Sequence, residues 1–201
     1  MSREIIAILR GITPAEAPAM AEGLLDAGFD KIEVPLNSPD PFDSIVAMLS
    51  VAQGRGMIGA GTVLSPDDVL RLADIGAQMV VSPDMNPRVI VATKQAGLAS
   101  YPGIMTPTEA FAALRNGADG LKFFPANLVG PAGISAMKAV LPADCKTYAV
   151  GGVGPDNFAE WFDAGVTGFG IGSSLYKPGR ALEDVLARAR DMVAAYDAAR
   201  A

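Results

Sequence analysis

The chain has 201 residues, half of them hydrophobic and only 19% charged, so it is long enough to bury one sizeable core and too apolar to be disordered. Its 22 acidic and 16 basic residues give a net charge of -6, which argues against nucleic acid as a partner, and no apolar run is long enough to span a membrane. It has no histidine and one cysteine, Cys145, which excludes histidine-based catalysis, an internal disulfide and a cysteine-rich metal site.

The chain begins Met1-Ser2-Arg3-Glu4 and continues directly into a strand-like run, without the pattern of a signal peptide. We therefore expect a cytoplasmic protein with no membrane association. Beyond that point one module recurs: a helix that ends at a glycine, followed closely by a short β-branched run. The glycines of this module are Gly28, Gly76, Gly97, Gly117 and Gly165. Glycine is typical after the last turn of a helix because it adopts the left-handed conformation without a steric penalty.

Strand-like runs alternate with helical stretches along the whole chain. The predicted strands are Ile5–Leu9, Lys31–Leu36, Met57–Ala60, Gln78–Ser82, Leu98–Tyr101, Gly120–Phe124, Lys146–Val150 and Gly168–Ile171, and the last helical stretch is Ala181–Ala198. This alternation predicts a parallel sheet, and eight such units predict an α/β fold closed into a (β/α)8 TIM barrel, a single domain over residues 1–201. A doubly wound open sheet is the alternative. It usually has a glycine-rich phosphate turn after its first strand, where this chain has Leu9-Arg10-Gly11-Ile12.

Active residues of such barrels lie at the carboxyl ends of the strands, and the lysine found there is Lys122. It lies in the apolar run Gly120-Leu121-Lys122-Phe123-Phe124-Pro125. Burial removes water from an ammonium group and lowers its pKa, and a neutral lysine amine can attack a carbonyl carbon to form a Schiff base. The alternative is a structural lysine that extends its ammonium group to solvent or pairs with a carboxylate.

Glu33 lies between Ile32 and Val34 in a second apolar strand. Because successive side chains of a strand point to opposite faces, Ile32 and Val34 can face the helices while Glu33 points into the barrel. In a chain without histidine, a buried glutamate is the best remaining general acid or base. The alternative is a glutamate that only forms an ion pair with Lys122, although such a buried pair is itself typical of catalytic sites.

Two glycine-rich turns follow the last two predicted strands, Gly151-Gly152-Val153-Gly154-Pro155 and Gly170-Ile171-Gly172-Ser173-Ser174. Loops at these positions commonly bind phosphate in this fold, since glycine lets backbone amides approach the oxygens. The turns therefore predict a phosphate site; the alternative is that glycine only relieves crowding in tight turns. Arg10, after the first strand, is a candidate clamp for a phosphate or a carboxylate, or else an ordinary surface residue.

Five segments of the chain resemble the KDPG/KHG aldolase family. They are Ile6-Ala7-Ile8-Leu9-Arg10-Gly11-Ile12, Glu33-Val34-Pro35-Leu36-Asn37-Ser38-Pro39, Gly59-Ala60-Gly61-Thr62-Val63-Leu64, Leu121-Lys122-Phe123-Phe124-Pro125 and Val150-Gly151-Gly152-Val153. Each motif alone is weak, but together they run in order from about Ile5 to Gly179 and are specific. The resemblance implies a class I aldolase that uses no metal or other cofactor, acts on a small phosphorylated sugar acid, and is usually a homotrimer.

The resemblance also implies a role for each matching residue. Lys122 is the implied Schiff-base lysine, and Glu33 is the implied proton shuttle. The residues implied to line the pyruvate end of the site are Thr62, Pro83 and Phe124, with Arg10 near the substrate carboxylate. The residues implied to hold the phosphate are Gly151, Gly152, Gly172 and Ser173.

At two positions, Asn37 and Val150, the chain differs from one branch of that family. Members that act on the gluconate-derived substrate usually carry arginine in place of Asn37 and threonine in place of Val150. The chain is therefore expected to prefer the galactonate-derived epimer, with Val150 near the C4 hydroxyl that distinguishes the two, and a KDPG aldolase of the Entner-Doudoroff pathway is the alternative. Outside the family, a phosphosugar isomerase or epimerase would use the same phosphate loops without an essential lysine. A catalytically silent phosphate-binding barrel would keep only the glycines.

Overall fold

The computed structural model describes residues 3–200. Met1, Ser2 and Ala201, which belong to the predicted domain and to the N-terminal pattern discussed above, lie outside the described residues. Residues 3–200 form nine strands: β1 Ile5–Ile8, β2 Lys31–Pro35, β3 Met57–Gly61, β4 Met79–Val81, β5 Ala99–Tyr101, β6 Gly103–Ile104, β7 Leu121–Phe123, β8 Thr147–Val150 and β9 Gly168–Ile171. The same residues form eight α-helices: α1 Ala17–Asp26, α2 Pro41–Ala52, α3 Pro66–Asp74, α4 Pro87–Gln95, α5 Pro107–Arg115, α6 Ala126–Lys138, α7 Phe158–Asp163 and α8 Leu182–Ala199.

The strands form one parallel sheet that is nearly closed on itself. Their order is β5-β4-β3-β2-β1-β9-β8-β7-β6, so the two ends of the sheet, β5 and β6, are consecutive in the chain and separated only by Pro102. The Pro102 carbonyl accepts a hydrogen bond of 2.9 Å from the Lys122 amide, which continues the pairing with β7 across the break. The prediction of a (β/α)8 TIM barrel is therefore confirmed.

The ninth strand arises from a proline that the sequence analysis placed outside any strand. The fifth predicted strand ends at Tyr101, but the extended chain continues through Pro102 to Ile104. Proline has no N–H to donate, so the ladder is interrupted at this residue and the segment counts as two strands. Eight βα units remain the correct description of the chain.

Alternation along the strands divides their side chains between two apolar regions. The outward residues Ile32 and Val34 of β2, and Leu121 and Phe123 of β7, pack in the main core between the barrel and the helices. The inward residues Ile6, Met79, Val81, Tyr101 and Tyr148 form a smaller cluster inside the barrel. This alternation turns Glu33 and Lys122 inward, as predicted.

The barrel interior is closed at its amino-terminal end by a polar network. The Tyr148 hydroxyl donates a hydrogen bond of 2.7 Å to Glu4, whose carboxylate also pairs with Lys31 at 3.3 Å and Lys146 at 3.1 Å. The ring of Tyr101 contacts that of Tyr148 edge-on, with centroids 5.3 Å apart. The described interior is therefore accessible from the carboxyl ends of the strands.

Local signals in the sequence fix most helix ends. The five glycines of the recurring module all have positive φ, between +75° and +100°. At the start of α5, in the run Thr106-Pro107-Thr108-Glu109, Thr106 and Glu109 form a reciprocal capping box. The similar motif at Thr13 behaves differently: Thr13 hydrogen-bonds to Glu16 at 2.7 Å, but helix α1 begins only at Ala17, one turn later.

Among the described residues, no helix has the length and apolar character needed to cross a membrane.

Candidate active site

Two adjoining cavities lie at the carboxyl ends of the strands. The inner cavity is inside the barrel and is lined by Ile6, Ile8, Glu33, Val81, Tyr101, Lys122, Tyr148, Val150 and Gly170. The outer pocket, of about 380 Å³, is lined by Ile8, Arg10, Val150, Gly151, Gly152, Val153, Gly170, Gly172, Ser173, Ser174, Tyr176, Lys177 and Pro178. Ile8, Val150 and Gly170 line both cavities, so the outer pocket and the inner cavity adjoin at these residues.

Lys122 is the amine of the inner cavity. It lies on β7 between Gly103 of β6 and Tyr148 of β8, and only 7% of it is exposed. Its Nζ atom is 4.7 Å from the ring centroid of Phe124. Burial lowers the pKa of Lys122 below its ordinary value, the nearby Arg10 charge lowers it further, and the Glu33 carboxylate partly opposes both effects. The lowered pKa increases the fraction of Lys122 that is the neutral amine, which is the nucleophilic form.

Glu33 is the carboxyl group of the same cavity. It lies on β2 between Ile8 of β1 and Gly59 of β3, and only 2% of it is exposed. Its Oε2 atom has no hydrogen-bond partner among the described residues. Burial raises the pKa of Glu33 to about 7, against the opposing effects of the Lys122 and Arg10 charges. At neutral pH this carboxyl therefore exists in both protonation states, which suits a group that takes up and returns a proton.

Space for the Glu33 carboxylate is provided by Gly61 at the end of β3. A Cβ atom at Gly61 would lie 1.7 Å from Oε2 of Glu33 and 2.3 Å from its Cδ. Both distances are far below van der Waals contact, so any larger residue at position 61 would displace the carboxylate.

Arg10 extends from the turn after β1 and lines the outer pocket. Its guanidinium donates a hydrogen bond to the side-chain oxygen of Asn37, in the turn after β2. Its positive charge lowers the pKa of both Glu33 and Lys122. The role that the resemblance implies for Arg10, near the substrate carboxylate, stays a prediction.

The outer pocket combines glycine-rich backbone with positive charge. Gly151 and Gly152, which follow β8, have φ of +102° and +75°, and a Cβ at Gly152 would lie 2.9 Å from the side chain of Asn127. The charged side chains lining the pocket are Arg10 and Lys177, both cationic. In a chain with a net charge of -6, this local excess of positive charge favours an anionic ligand.

Hydrogen bonds from backbone amides and from Arg180 hold the turn after β9. The amides of Leu175 and Tyr176 both donate to the Gly172 carbonyl, at 2.9 and 3.0 Å. The guanidinium of Arg180 donates to the Leu175 carbonyl and, at 3.4 Å, to that of Ser174. These bonds occupy carbonyl oxygens of the turn and fix the backbone beside Gly172 and Ser173.

The three residues predicted at the pyruvate end, Thr62, Pro83 and Phe124, differ in their contacts and backbone conformation. Phe124 contacts Lys122, as described. Thr62 follows Gly61 directly and has φ of +56°, a strained conformation for a β-branched residue of the kind found at functional sites. Pro83 follows β4, and its carbonyl packs against Gly103, where a Cβ would be only 2.2 Å from the oxygen. Thr62, Pro83 and Phe124 are all absent from the described residues that line the two cavities.

Several residues of the site were missed by sequence reasoning or given another role. Lys177 lines the outer pocket together with Tyr176, although the sequence patterns discussed above point to neither residue. The available signal was its position in the loop after the eighth predicted strand, where this fold binds phosphate. The sequence indicates Asn37 only as a residue that distinguishes branches of the family, and it indicates no role for Gly61. Their contacts join segments that the sequence alone does not bring together.

The site combines a buried amine with a buried carboxyl group, and the described residues include no metal-binding cluster. Among residues 3–200 there is no group of three or more cysteine, aspartate or glutamate side chains placed to hold a metal ion. The groups present are a buried amine, a buried carboxyl and a cationic pocket lined by backbone. Together they can attack a carbonyl carbon, move protons nearby and hold an anionic end of the same molecule.

Known proteins with similar sequences and structures support this interpretation. The chain is 52% identical over 98% of its length to a probable 2-dehydro-3-deoxy-6-phosphogalactonate aldolase of Rhizobium meliloti, covering 93% of that protein. It is 48% identical over 96% of its length to the 2-dehydro-3-deoxy-6-phosphogalactonate aldolase of Escherichia coli, covering 94% of it. A solved structure described as native KDPGal matches with a TM-score of 0.98 and 47% identity, covering 100% of this chain and 97% of that one. Residues 1–188 match the family model for KDPG and KHG aldolase, and the chain therefore belongs to this aldolase family.

Proposed function

We propose that the chain cleaves 2-dehydro-3-deoxy-6-phosphogalactonate to pyruvate and glyceraldehyde 3-phosphate through a Schiff base on Lys122, with a single domain of residues 1–201 carrying the whole site. The observation that carries the proposal is the burial of one amine and one carboxyl, Lys122 and Glu33, in the same inner cavity beside a cationic outer pocket. The substrate is taken from the names of relatives that are about half identical to the chain over nearly its full length.

In the proposed reaction, the neutral Lys122 amine adds to the C2 ketone of the substrate and water leaves. The lowered pKa of Lys122 increases the fraction of the amine able to react at neutral pH. The resulting iminium accepts the electron pair of the C3–C4 bond when that bond breaks. It thereby stabilises the charge that a metal-dependent aldolase would place on its ion.

Glu33 moves the protons of the reaction. As the carboxylate, it removes the proton of the C4 hydroxyl, directly or through one water, while the C3–C4 bond breaks and glyceraldehyde 3-phosphate is released. The protonated Glu33 then returns a proton to C3 of the enamine, and hydrolysis of the iminium frees pyruvate and Lys122. A pKa of about 7 makes both steps accessible without a large free-energy cost.

The remaining site residues bind the two ends of the substrate. Arg10 holds the carboxylate of the keto acid, and Thr62, Pro83 and Phe124 form the surroundings of its pyruvate end. The backbone of Gly151, Gly152, Gly172 and Ser173 holds the phosphate. The position of the glycine turns in a pocket that the cationic side chain of Lys177 also lines supports the latter assignment.

Val150 is the proposed determinant of the C4 epimer. It lines both cavities, between the inner amine and the outer phosphate site, which is where the middle of the substrate would lie. Valine offers only methyl groups at this point and cannot hydrogen-bond a C4 hydroxyl. We therefore expect a preference for the galactonate-derived epimer over the gluconate-derived one, with some activity on both.

The chain is further proposed to act as a homotrimer in the cytoplasm, in galactonate catabolism. Leu64, Leu70 and Val91 are exposed apolar side chains on the turn before α3, on α3 and on α4, and α3 packs against α4. Such exposed apolar surface suits contact with another copy of the chain. A phosphorylated acid does not cross membranes freely, which favours an intracellular site of action. Sedimentation analysis of the purified protein would measure the number of copies in the assembly.

Borohydride trapping with pyruvate tests the Schiff base. The wild type should gain about one reduced pyruvyl group per chain, located on Lys122 by peptide mapping. Lys122→Ala should lose both labelling and activity. Lys146→Ala is the matched control, because Lys146 lies at the opposite end of the barrel, and it should be labelled as the wild type is. Label on another lysine, or full activity in Lys122→Ala, would overturn the proposal.

The same experiment separates the alternative functions. A phosphosugar isomerase or epimerase, or a silent phosphate-binding barrel, would not be trapped by pyruvate. Treatment with EDTA adds a second criterion, since a class I aldolase should keep its activity. Inactivation that is reversed by adding a divalent ion would contradict the class I mechanism.

A further inference from the structure

Two turns face each other at the carboxyl ends of β1 and β2. In the first, the Ile12 amide donates to the Leu9 carbonyl at 3.2 Å, which places Arg10 and Gly11 at its centre. In the second, the Ser38 amide donates to the Pro35 carbonyl at 2.9 Å. The two turns are defined here as the Arg10 turn (residues 9–12) and the Asn37 turn (residues 35–38).

Both turns are fixed by their surroundings. Gly11 has φ of +86°, and a Cβ on it would lie 2.6 Å from the ring of Pro178, so the Arg10 turn is packed against the loop after β9. The Leu36 amide donates to the Gly61 carbonyl at 2.8 Å, which ties the Asn37 turn to the end of β3. The Asn37 turn is thus fixed beside Gly61, the residue that leaves space for the Glu33 carboxylate.

Two side-chain contacts join the turns. The hydroxyl of Ser38 accepts a hydrogen bond of 2.9 Å from the Gly11 amide, which sets the separation of the backbones. The side-chain oxygen of Asn37 accepts a hydrogen bond from the Arg10 guanidinium. Arg10 is exposed, and no carboxylate holds its guanidinium among the residues that the structure describes. Its direction therefore depends on the neutral amide of Asn37.

We propose that Asn37 is a positioning residue that holds the Arg10 guanidinium over the mouth of the inner cavity, ready to bind the carboxylate of the keto acid. This inference rests on the proposed function and extends it to a residue outside the cavity linings. A free arginine side chain samples many rotamers, and fixing it costs conformational entropy on binding. A partner that fixes it in advance lowers this cost, and a neutral partner leaves the positive charge available to the substrate. An aspartate here would hold Arg10 equally well but would cancel the charge.

The test is a double-mutant cycle of Asn37→Ala and Arg10→Gln, read by borohydride trapping with pyruvate alone. Pyruvate has the carboxylate but no phosphate, so the assay isolates that end of the site. Asn37→Ala should raise the pyruvate concentration for half-maximal trapping by roughly 2- to 13-fold, the range for one net hydrogen bond. The trapping rate at saturating pyruvate should change little, because Lys122 is untouched.

The cycle distinguishes positioning from a general loss of structure. In the Arg10→Gln background, Asn37→Ala should have no further effect. Asn116→Ala is the matched control: it removes an amide that caps α5 at the opposite end of the barrel, and its pyruvate dependence should match the wild type. Asn37→Ser is the second variant, for use if Asn37→Ala folds poorly. Serine suits a turn but is too short to reach Arg10, so this variant should show the same rise in the pyruvate concentration for half-maximal trapping.

Two outcomes would overturn the inference while leaving the proposed function intact. One is an unchanged pyruvate dependence in both Asn37 variants. The other is an Asn37→Ala effect of equal size with and without Arg10, which would mean that Asn37 acts independently of the arginine. Failure of the proposed function looks different, because the wild type itself would then not be trapped on Lys122.

Discussion

Replacing Glu33 with glutamine should make the protein more stable at neutral pH while nearly abolishing turnover. Glutamine has the size and polarity of glutamic acid but cannot ionise. In the wild type, the buried Glu33 must lose its proton in a cavity where Oε2 has no hydrogen-bond partner among the described residues. Because that loss is unfavourable, the folded chain keeps the proton at pH values where the unfolded chain has already released it. This difference favours the unfolded state, and Glu33→Gln removes it.

The magnitude follows from the pKa of Glu33, which is raised from 4.5 to about 7 on folding. Between these values the folded state holds a proton that the unfolded state has released, so the free energy of unfolding falls as pH rises through this window. At about 1.36 kcal/mol per pH unit, the loss amounts to up to about 3 kcal/mol. For a chain of this length that corresponds to a difference in Tm of roughly 6–12 °C.

The assay is thermal or urea unfolding of the wild type and Glu33→Gln from pH 4.5 to pH 8, at one fixed protein concentration because assembly also affects Tm. The stability of Glu33→Gln relative to the wild type should rise across this range. Glu109→Gln provides a control of opposite sign. Hydrogen bonds from the Met105 and Thr106 amides lower the pKa of Glu109, so its charge stabilises the fold and the variant should lose stability as pH rises.

The same variant should show the catalytic role of the carboxyl group. Loss of general acid and base catalysis should slow turnover roughly 10²- to 10⁴-fold, while Schiff-base trapping survives at least in part. A stability difference that stays flat from pH 4.5 to pH 8 would refute the reasoning about burial. Near-normal turnover in Glu33→Gln would refute the proton-shuttle role.

Three further predictions concern the surroundings of the two reacting groups. Gly61→Ala should displace the Glu33 carboxylate and lower activity by at least about 10-fold, and by roughly 10²-fold if acid–base catalysis is lost completely. A wild-type kcat/KM in this variant would show that the cavity adapts. Val150→Thr should shift the ratio of kcat/KM for the two C4 epimers toward the gluconate-derived one by roughly 2- to 13-fold, and an unchanged ratio would remove Val150 as the determinant. Lys177→Gln should raise the KM for the phosphorylated substrate and leave pyruvate trapping unchanged. As a control, Arg190→Gln on the exposed surface of α8 should alter neither quantity. Equal effects of the two variants would mean that the net charge of the protein, and not Lys177 itself, sets the KM.

Much of this protein can be predicted from local patterns in its sequence. Strand alternation alone places Glu33 and Lys122 inside the barrel, because each lies between apolar residues that must face the helices. Glycines after the helices mark the repeating units, because their backbone conformation is one that other residues rarely adopt. Eight such units leave the closed barrel as the consistent arrangement, and closure brings the carboxyl ends of all strands to one site.

What the sequence could not supply are contacts between segments far apart in the chain. The space that Gly61 leaves for Glu33, the bond between Arg10 and Asn37, and the position of Lys177 in the outer pocket each depend on the register of neighbouring strands and the packing of their loops. The raised pKa of Glu33 likewise depends on how completely the closed barrel excludes water. Periodicity and capping act within one turn or strand, so they determine which residues point inward, whereas the distances and charges that make those residues reactive are decided only by the tertiary structure.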